Sequence, residues 1–124
     1  MHRERPVNLA LTKFSFPLAA IASITHRITG VVLFGGMAVL LYLLDLSTRS
    51  PDGFAEARAL LDLPLSKLVL LAILAALIFH VVAGVKHLIM DFHIGDTLAG
   101  GRFGAQLSFG ISIVLIALAG AWIW

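Results

Sequence analysis

The chain has 124 residues, of which 60% are hydrophobic and 13% charged, and its formal net charge is +2. A chain this small cannot bury so much apolar surface in a core of its own, so lipid or partner helices must cover the remainder. Because it contains no cysteine, a disulfide framework, a thiolate metal site and covalent cofactor attachment through Cys-x-x-Cys-His are excluded.

The elements follow in a simple order. Residues 1–16 are polar and basic, and Ser15 with Pro17 predicts a helix start in which Ser15 is the cap and Pro17 lies in the first turn. Residues 50–53 predict a turn, residues 54–61 a short surface helix, and residues 91–101 a loop. Three apolar runs can each span a bilayer as a helix, at about 17–46, 65–90 and 103–124. The sequence therefore predicts an all-α membrane protein with three transmembrane helices in a single domain, residues 1–124.

The basic residues stand at the ends of the apolar runs, which suits membrane orientation and not nucleic-acid binding. With the N-terminus inside, six of them lie on the cytoplasmic side: Arg3, Arg5, Lys13, Arg27, Lys86 and Arg102. The outside then carries three: Arg49, Arg58 and Lys67. This excess predicts a cytoplasmic N-terminus.

His80 lies inside the second apolar run, in a stretch without formal charge between Lys67 and Lys86. That stretch is about 28 Å long at 1.5 Å per residue, close to the thickness of the hydrocarbon layer. A titratable side chain at this depth is costly, which favours a functional role. From the spacing alone, a metal ligand and a hydrogen bond between helices are equally compatible with it.

Helical phase predicts two polar faces. Ser23, His26, Arg27 and Gly30 share one face of the first span, and His80, Gly84 and His87 share one face of the second. Because the second helix returns towards the side where the first begins, both faces should lie at one depth. Gly84 is predicted to leave a flat position beside His80, where a planar ligand or another helix could approach.

A neutral imidazole is a good iron ligand, and a cationic rim suits the carboxylate groups of a haem. His80 would bind the iron of a haem b, while His26, Arg27 and Lys86 would face its propionates near the cytoplasm. Only one convincing intramembrane histidine is present, so a six-coordinate haem needs its second ligand from another chain.

Two blocks of sequence resemble the cytochrome b556 membrane-anchor family of succinate dehydrogenase, respiratory complex II. The first is Arg5-Pro6-Val7-Asn8-Leu9 with Ser23-Ile24-Thr25-His26-Arg27-Ile28-Thr29-Gly30, and the second runs from His80 to Asp91. The resemblance covers essentially the whole chain. The family usually has Arg where this chain has Lys86, and Lys lacks the planar fork for a bidentate propionate contact.

The resemblance implies a part of an enzyme: a haem b- and ubiquinone-binding anchor within a larger heteromeric helix bundle. It implies pairing with a second membrane anchor, which gives the other axial histidine, and with iron–sulfur and flavoprotein subunits. His80 matches the axial ligand, His26 and Arg27 match positions near the propionates, and Ser23 and Arg27 match positions lining the quinone pocket. The chain would reduce quinone without itself oxidising succinate, and no residue is expected to be catalytic.

Two alternatives stay open: an anchor that binds quinone without haem, and a small scaffold or transport protein with packing or proton-relay histidines. Because the family motif begins at Arg5, which leaves no room for a mitochondrial transit peptide, we expect a bacterial inner membrane.

Overall fold

The computed structural model describes residues 17–124, which are mostly helical. Four helices follow one another: α1 (Leu18–Arg49), α2 (Pro51–Leu61), α3 (Pro64–Asp91) and α4 (Leu98–Ile123). Helices α1, α3 and α4 are long and apolar enough to cross a membrane, and residues 17–124 contain no strand. The prediction of an all-α protein with three transmembrane helices is therefore confirmed.

The start of α1 differs from the prediction. Pro17 is the N-cap residue, with φ −62° and ψ 149°, so it precedes the first turn and does not occupy it. The predicted cap, Ser15, lies outside the described residues. The ends of a helix do not mark the borders of the membrane, so the predicted limits of the three membrane spans stay predictions.

The short helix α2 starts earlier than residue 54 because Ser50 caps it. The Ser50 hydroxyl accepts a hydrogen bond from the backbone N–H of Gly53 at 3.0 Å, and Pro51 occupies the first helical position. A proline costs little there, since the N–H it lacks would have no helical partner. The turn predicted at residues 50–53 is thus the first turn of α2.

The connection between α3 and α4 is shorter than the predicted loop of residues 91–101. The Thr97 hydroxyl accepts a hydrogen bond from the N–H of Gly100 at 3.0 Å, so α4 begins at Leu98 and includes both Gly100 and Gly101. Within the connection, His93 donates from Nδ1 to Asp96 at 3.0 Å, and Gly95 has a φ of +69°, a conformation that favours glycine.

The three long helices pack through small residues. The buried positions include Ala22 and Gly36 on α1, Ala76 and Ala83 on α3, and Gly101, Ala105, Ser108 and Ser112 on α4. Small side chains let helix backbones approach closely, as is usual in membrane bundles. Large apolar side chains face outwards, with Phe34 87% and Trp122 83% exposed. This outer surface is the part that lipid or partner helices must cover.

Candidate functional site

Antiparallel packing of α1 on α3 brings three histidines together. The rings of His26 and His80 stack with centroids 4.0 Å apart and an interplanar angle of 11°. The ring of His87 meets that of His26 edge to face, at 5.3 Å and 63°. The prediction that the polar residues of the first and second spans lie at one depth is confirmed for these three. A small apolar cluster of Ala22, Phe79, Ala83 and Ala105 packs at the same end of the bundle.

One ring nitrogen of His80 is held by two oxygens of α1. Nδ1 lies 3.1 Å from the backbone oxygen of His26 and 3.2 Å from Oγ1 of Thr29. Thr29 is 9% exposed, and its hydroxyl donates its own hydrogen to the His26 oxygen at 2.8 Å. A carbonyl oxygen can only accept, so Nδ1 carries the proton and donates it. The Nε2 lone pair is therefore the one available to a metal.

The close approach of the two helices depends on glycines. A Cβ atom at Gly30 would stand 3.3 Å from Cε1 of His80, and one at Gly84 would stand 3.5 Å from Nε2 of His26. The predicted flat position beside His80 is thus provided by Gly30 on α1. Gly84 instead faces the ring of His26, because the register between the helices places it one turn beyond His80.

The residues of the predicted polar face of α1 differ in their exposure. The buried positions of α1 are Ala22, Thr29, Gly36 and Leu46, whereas Ser23 is half-buried and Arg27 is exposed. At about 100° per residue, Ser23 points about 100° and Arg27 about 140° away from Ala22 around the helix. Ser23 and Arg27 therefore occupy the flank of α1, beside the histidines and open to the outside of this chain.

Lys86 belongs to the contact between α3 and α4. It is half-buried, and a Cβ atom at Gly104 would stand 3.3 Å from Cγ of Lys86, so the aliphatic stem lies over that glycine. Long cationic side chains commonly cover apolar surface in this way and keep the charge in a polar environment. Of the predicted rim, Lys86 therefore packs its stem against α4, whereas His26 and Arg27 lie on α1.

Sequence reasoning assigned no role to Thr29, which is the residue it missed. Threonine hydroxyls in helices ordinarily bond a carbonyl of their own helix, as Thr25 does with Ile21 at 2.8 Å. The signal available in the sequence was the position of Thr29 three residues after His26, on the same helix face, and directly before Gly30.

The residues present fit a haem. In a neutral His80 the hydrogen bond of Nδ1 to a carbonyl leaves Nε2 as the nitrogen with a free lone pair, and Gly30, which has no side chain, lies beside the ring. Exposed Arg27 and half-buried His26 offer nitrogen donors for carboxylates. Axial ligation by a histidine with its other nitrogen hydrogen-bonded to a carbonyl is a common arrangement for metal-bound histidines.

Comparison with known proteins matches residues 1–119 to the family described as succinate dehydrogenase/fumarate reductase transmembrane subunit. A curated relative from Coxiella burnetii is 45% identical over 125 aligned residues, covering 100% of both chains. One from Paracoccus denitrificans is 33% identical over 93% of this chain and 88% of its own length. One from Rickettsia typhi is 30% identical over 79% of this chain and 76% of its own length. All three carry the name succinate dehydrogenase cytochrome b556 subunit.

Proposed function

Because the chain belongs to the family of succinate dehydrogenase/fumarate reductase transmembrane subunits, we propose that it binds haem b and ubiquinone and passes electrons from the iron–sulfur subunit to ubiquinone. It is a multi-pass membrane subunit of a succinate dehydrogenase complex. The observation that carries the finer proposal is the hydrogen bond of His80 Nδ1 to the His26 carbonyl at 3.1 Å, which leaves Nε2 for iron.

His80 is the proposed axial ligand, and His26 and Arg27 are the proposed donors to the propionates. A haem supplies one-electron transfer through its iron when it is bound. Among the described residues, only His80 has its Nδ1 held by a backbone carbonyl. The second axial ligand is therefore assigned to the second membrane anchor of the complex, which would share the haem.

Ser23 and Arg27 are the proposed quinone-binding residues. Quinone reduction adds two electrons and two protons, and donors aimed at the carbonyl oxygens stabilise the charge that develops there. A hydroxyl and a guanidinium on one flank of α1 are suited to this, and their position near the helix start keeps them close to an aqueous proton source. Because Arg27 is exposed in this chain, the pocket needs walls from the partner subunits.

The proposed partners are the second membrane anchor, the iron–sulfur subunit and the flavoprotein subunit, together with membrane lipid. An iron–sulfur cluster must come from another subunit, since a chain without cysteine has no thiolates for it, and flavin chemistry is assigned to the flavoprotein subunit. The outward apolar side chains of α1 and α4 supply the surface on which a second helical anchor and lipid would pack.

We place the chain in a bacterial inner membrane with a cytoplasmic N-terminus. Because the chain lacks cysteine, single cysteines can report its topology. Asp96→Cys, between α3 and α4, should react with an impermeant maleimide only from the cytoplasmic side. Glu56→Cys, on α2, should react only from the opposite side. Exchange of the two patterns would reverse the proposed orientation.

The central test is a reduced-minus-oxidised optical spectrum of the purified complex, comparing the wild type with His80→Ala. The proposal requires a low-spin b-type spectrum that is lost or becomes high-spin in the variant. An unchanged low-spin spectrum would move the ligand away from His80, with His87 as the next candidate. A wild-type complex without haem would leave a quinone-only anchor if it reduces quinone, or a scaffold or transport protein if it does not.

A further inference from the structure

The hydrogen bonds around His80 assign a role to Thr29. Two oxygens lie within 3.2 Å of Nδ1, and the hydrogen of the Thr29 hydroxyl is already committed to the His26 oxygen at 2.8 Å. With that hydrogen engaged, the Thr29 oxygen presents only lone pairs to the imidazole. An unprotonated Nδ1 would face two acceptors, so this pair of oxygens selects the tautomer with the proton on Nδ1.

We propose that Thr29 is a positioning residue that, together with the His26 carbonyl, fixes the tautomer and the ring orientation of His80 for axial ligation. This inference rests on the proposed function, because it assumes that Nε2 of His80 binds the haem iron. The second acceptor matters because two oxygens that share the one hydrogen on Nδ1 fix the direction of the N–H more narrowly than a single acceptor would.

A hydrogen bond accepted from Nδ1–H also makes the imidazole a stronger electron donor through Nε2. A more basic ligand favours ferric over ferrous iron, so Thr29 should keep the midpoint potential of the haem lower than it would otherwise be. Removal of a residue that holds a metal-ligating histidine in this way typically lowers the affinity for the metal by about 10- to 100-fold.

Thr29→Val removes the hydroxyl with little change of shape, and Thr29→Ser keeps the hydroxyl but removes the methyl group. Thr25→Val is the matched control, since Thr25 lies one turn earlier on the same helix and its hydroxyl bonds only the Ile21 carbonyl of α1 among the described residues. Each variant is assembled in the whole membrane complex. The measurements are the haem-to-flavin ratio, the midpoint potential and the electron paramagnetic resonance spectrum of the ferric haem.

We expect a higher potential and a changed low-spin signal in Thr29→Val, and near wild-type values in Thr29→Ser and Thr25→Val. A tenfold loss of preference for ferric iron corresponds to an upward shift of about 59 mV for one electron. If Thr29→Val fails to retain haem, retention in Thr29→Ser still supports a role for the hydroxyl. Equal loss of haem in both Thr29 variants would overturn the proposed role of Thr29, as would an unchanged midpoint potential and resonance spectrum in Thr29→Val.

Failure of this inference is distinguishable from failure of the proposed function. A wild-type complex whose low-spin haem disappears in His80→Ala, but whose potential is indifferent to Thr29→Val, contradicts only the role of Thr29. A wild-type complex without haem, or one whose low-spin haem survives His80→Ala, contradicts the ligation itself.

Discussion

The imidazole rings of His26 and His80 stack nearly parallel, 4.0 Å apart and inclined by 11°, although 54 positions separate them in the chain. The backbone of His26 holds Nδ1 of His80, while its side chain covers one face of the same ring. One residue of α1 thus orients the proposed ligand through two separate groups. Only the side-chain contribution can be removed by substitution.

His26→Phe and His26→Ala separate stacking from hydrogen bonding. Phenylalanine retains a flat ring beside His80 and the backbone carbonyl but loses the proposed donor to the propionate, so we expect the low-spin haem spectrum to persist, with a haem-to-flavin ratio between those of the wild type and His26→Ala. Alanine removes the covering ring and leaves a void next to Gly84, so we expect a lower haem-to-flavin ratio. Equal haem loss in both variants would instead show that the ring nitrogens of His26, and not its stacking, hold the site.

Gly30→Ala tests the close contact with His80. The new methyl group would stand 3.3 Å from Cε1, which is tight enough that the ring must move by a few tenths of an ångström. Because two hydrogen bonds resist that movement, we expect reduced haem occupancy and a broadened low-spin signal.

Gly35→Ala is the control for that experiment, because a Cβ there meets nothing within 4 Å in this chain. Alanine is favoured over glycine in a helix interior by about 1 kcal/mol, so this variant should assemble at least as well as the wild type. Full haem occupancy in Gly30→Ala would mean that the ring of His80 has more freedom than its contacts indicate.

Much of this site follows from the sequence because it depends on length and phase. Consecutive spanning helices must run antiparallel, and with the lengths of α1 and α3 this brings His26 level with His80 and His87. The role of Thr29 does not follow, because it depends on how α1 is rotated about its axis relative to α3. A 3.6-residue period defines a face but leaves that rotation uncertain by tens of degrees.

The helix ends show a different limit. The sequence between α3 and α4 is polar and rich in glycine, which is typical of a loop, yet Thr97 caps α4 and draws Gly100 and Gly101 into the helix. Capping depends on one hydrogen bond, which composition does not reveal. The exposure of Arg27 sets a further limit: in the proposed complex its surroundings would belong to the partner subunits, so its role cannot be predicted from this chain's packing.

Arg27→Ala should separate quinone reduction from succinate oxidation. If the guanidinium stabilises charge developing on the quinone oxygens, its loss should lower quinone reductase activity about tenfold or more, since removing one such donor can cost about 10²–10³-fold. Succinate oxidation measured with an artificial dye should stay near wild type. Arg27→Lys should fall between, because it keeps the charge and loses the planar fork.

Arg49→Ala is the control for Arg27, since Arg49 lies at the other end of α1 and pairs there with Asp45. We expect it to leave both activities near the wild-type values. Equal loss of the quinone and dye activities in Arg27→Ala would point to a role in assembly of the complex instead.

The spacing of α1 and α3 beyond the histidines depends on Gly36. A Cβ atom there would stand 3.1 Å from both Cγ1 and Cγ2 of Ile73, so alanine at this position overpacks a buried contact. Overpacking of this kind costs about 1–3 kcal/mol. We expect Gly36→Ala to lower the temperature at which the purified complex loses its haem spectrum.

Two second-site substitutions identify the contact responsible. Ile73→Ala removes both close carbon atoms, so the double variant with Gly36→Ala should be more stable than the sum of the two single effects predicts. Ile73→Val removes only Cδ1, which is 3.5 Å away, and keeps both close carbons, so it should give no such recovery. If alanine and valine at position 73 compensate Gly36→Ala equally, the contact with Cδ1, which both variants lack, is responsible; if neither compensates, the cost does not arise from Ile73. Recovery by alanine alone would establish that the separation of α1 from α3, and with it the fit of α1 against His80, is set by the missing side chain at position 36.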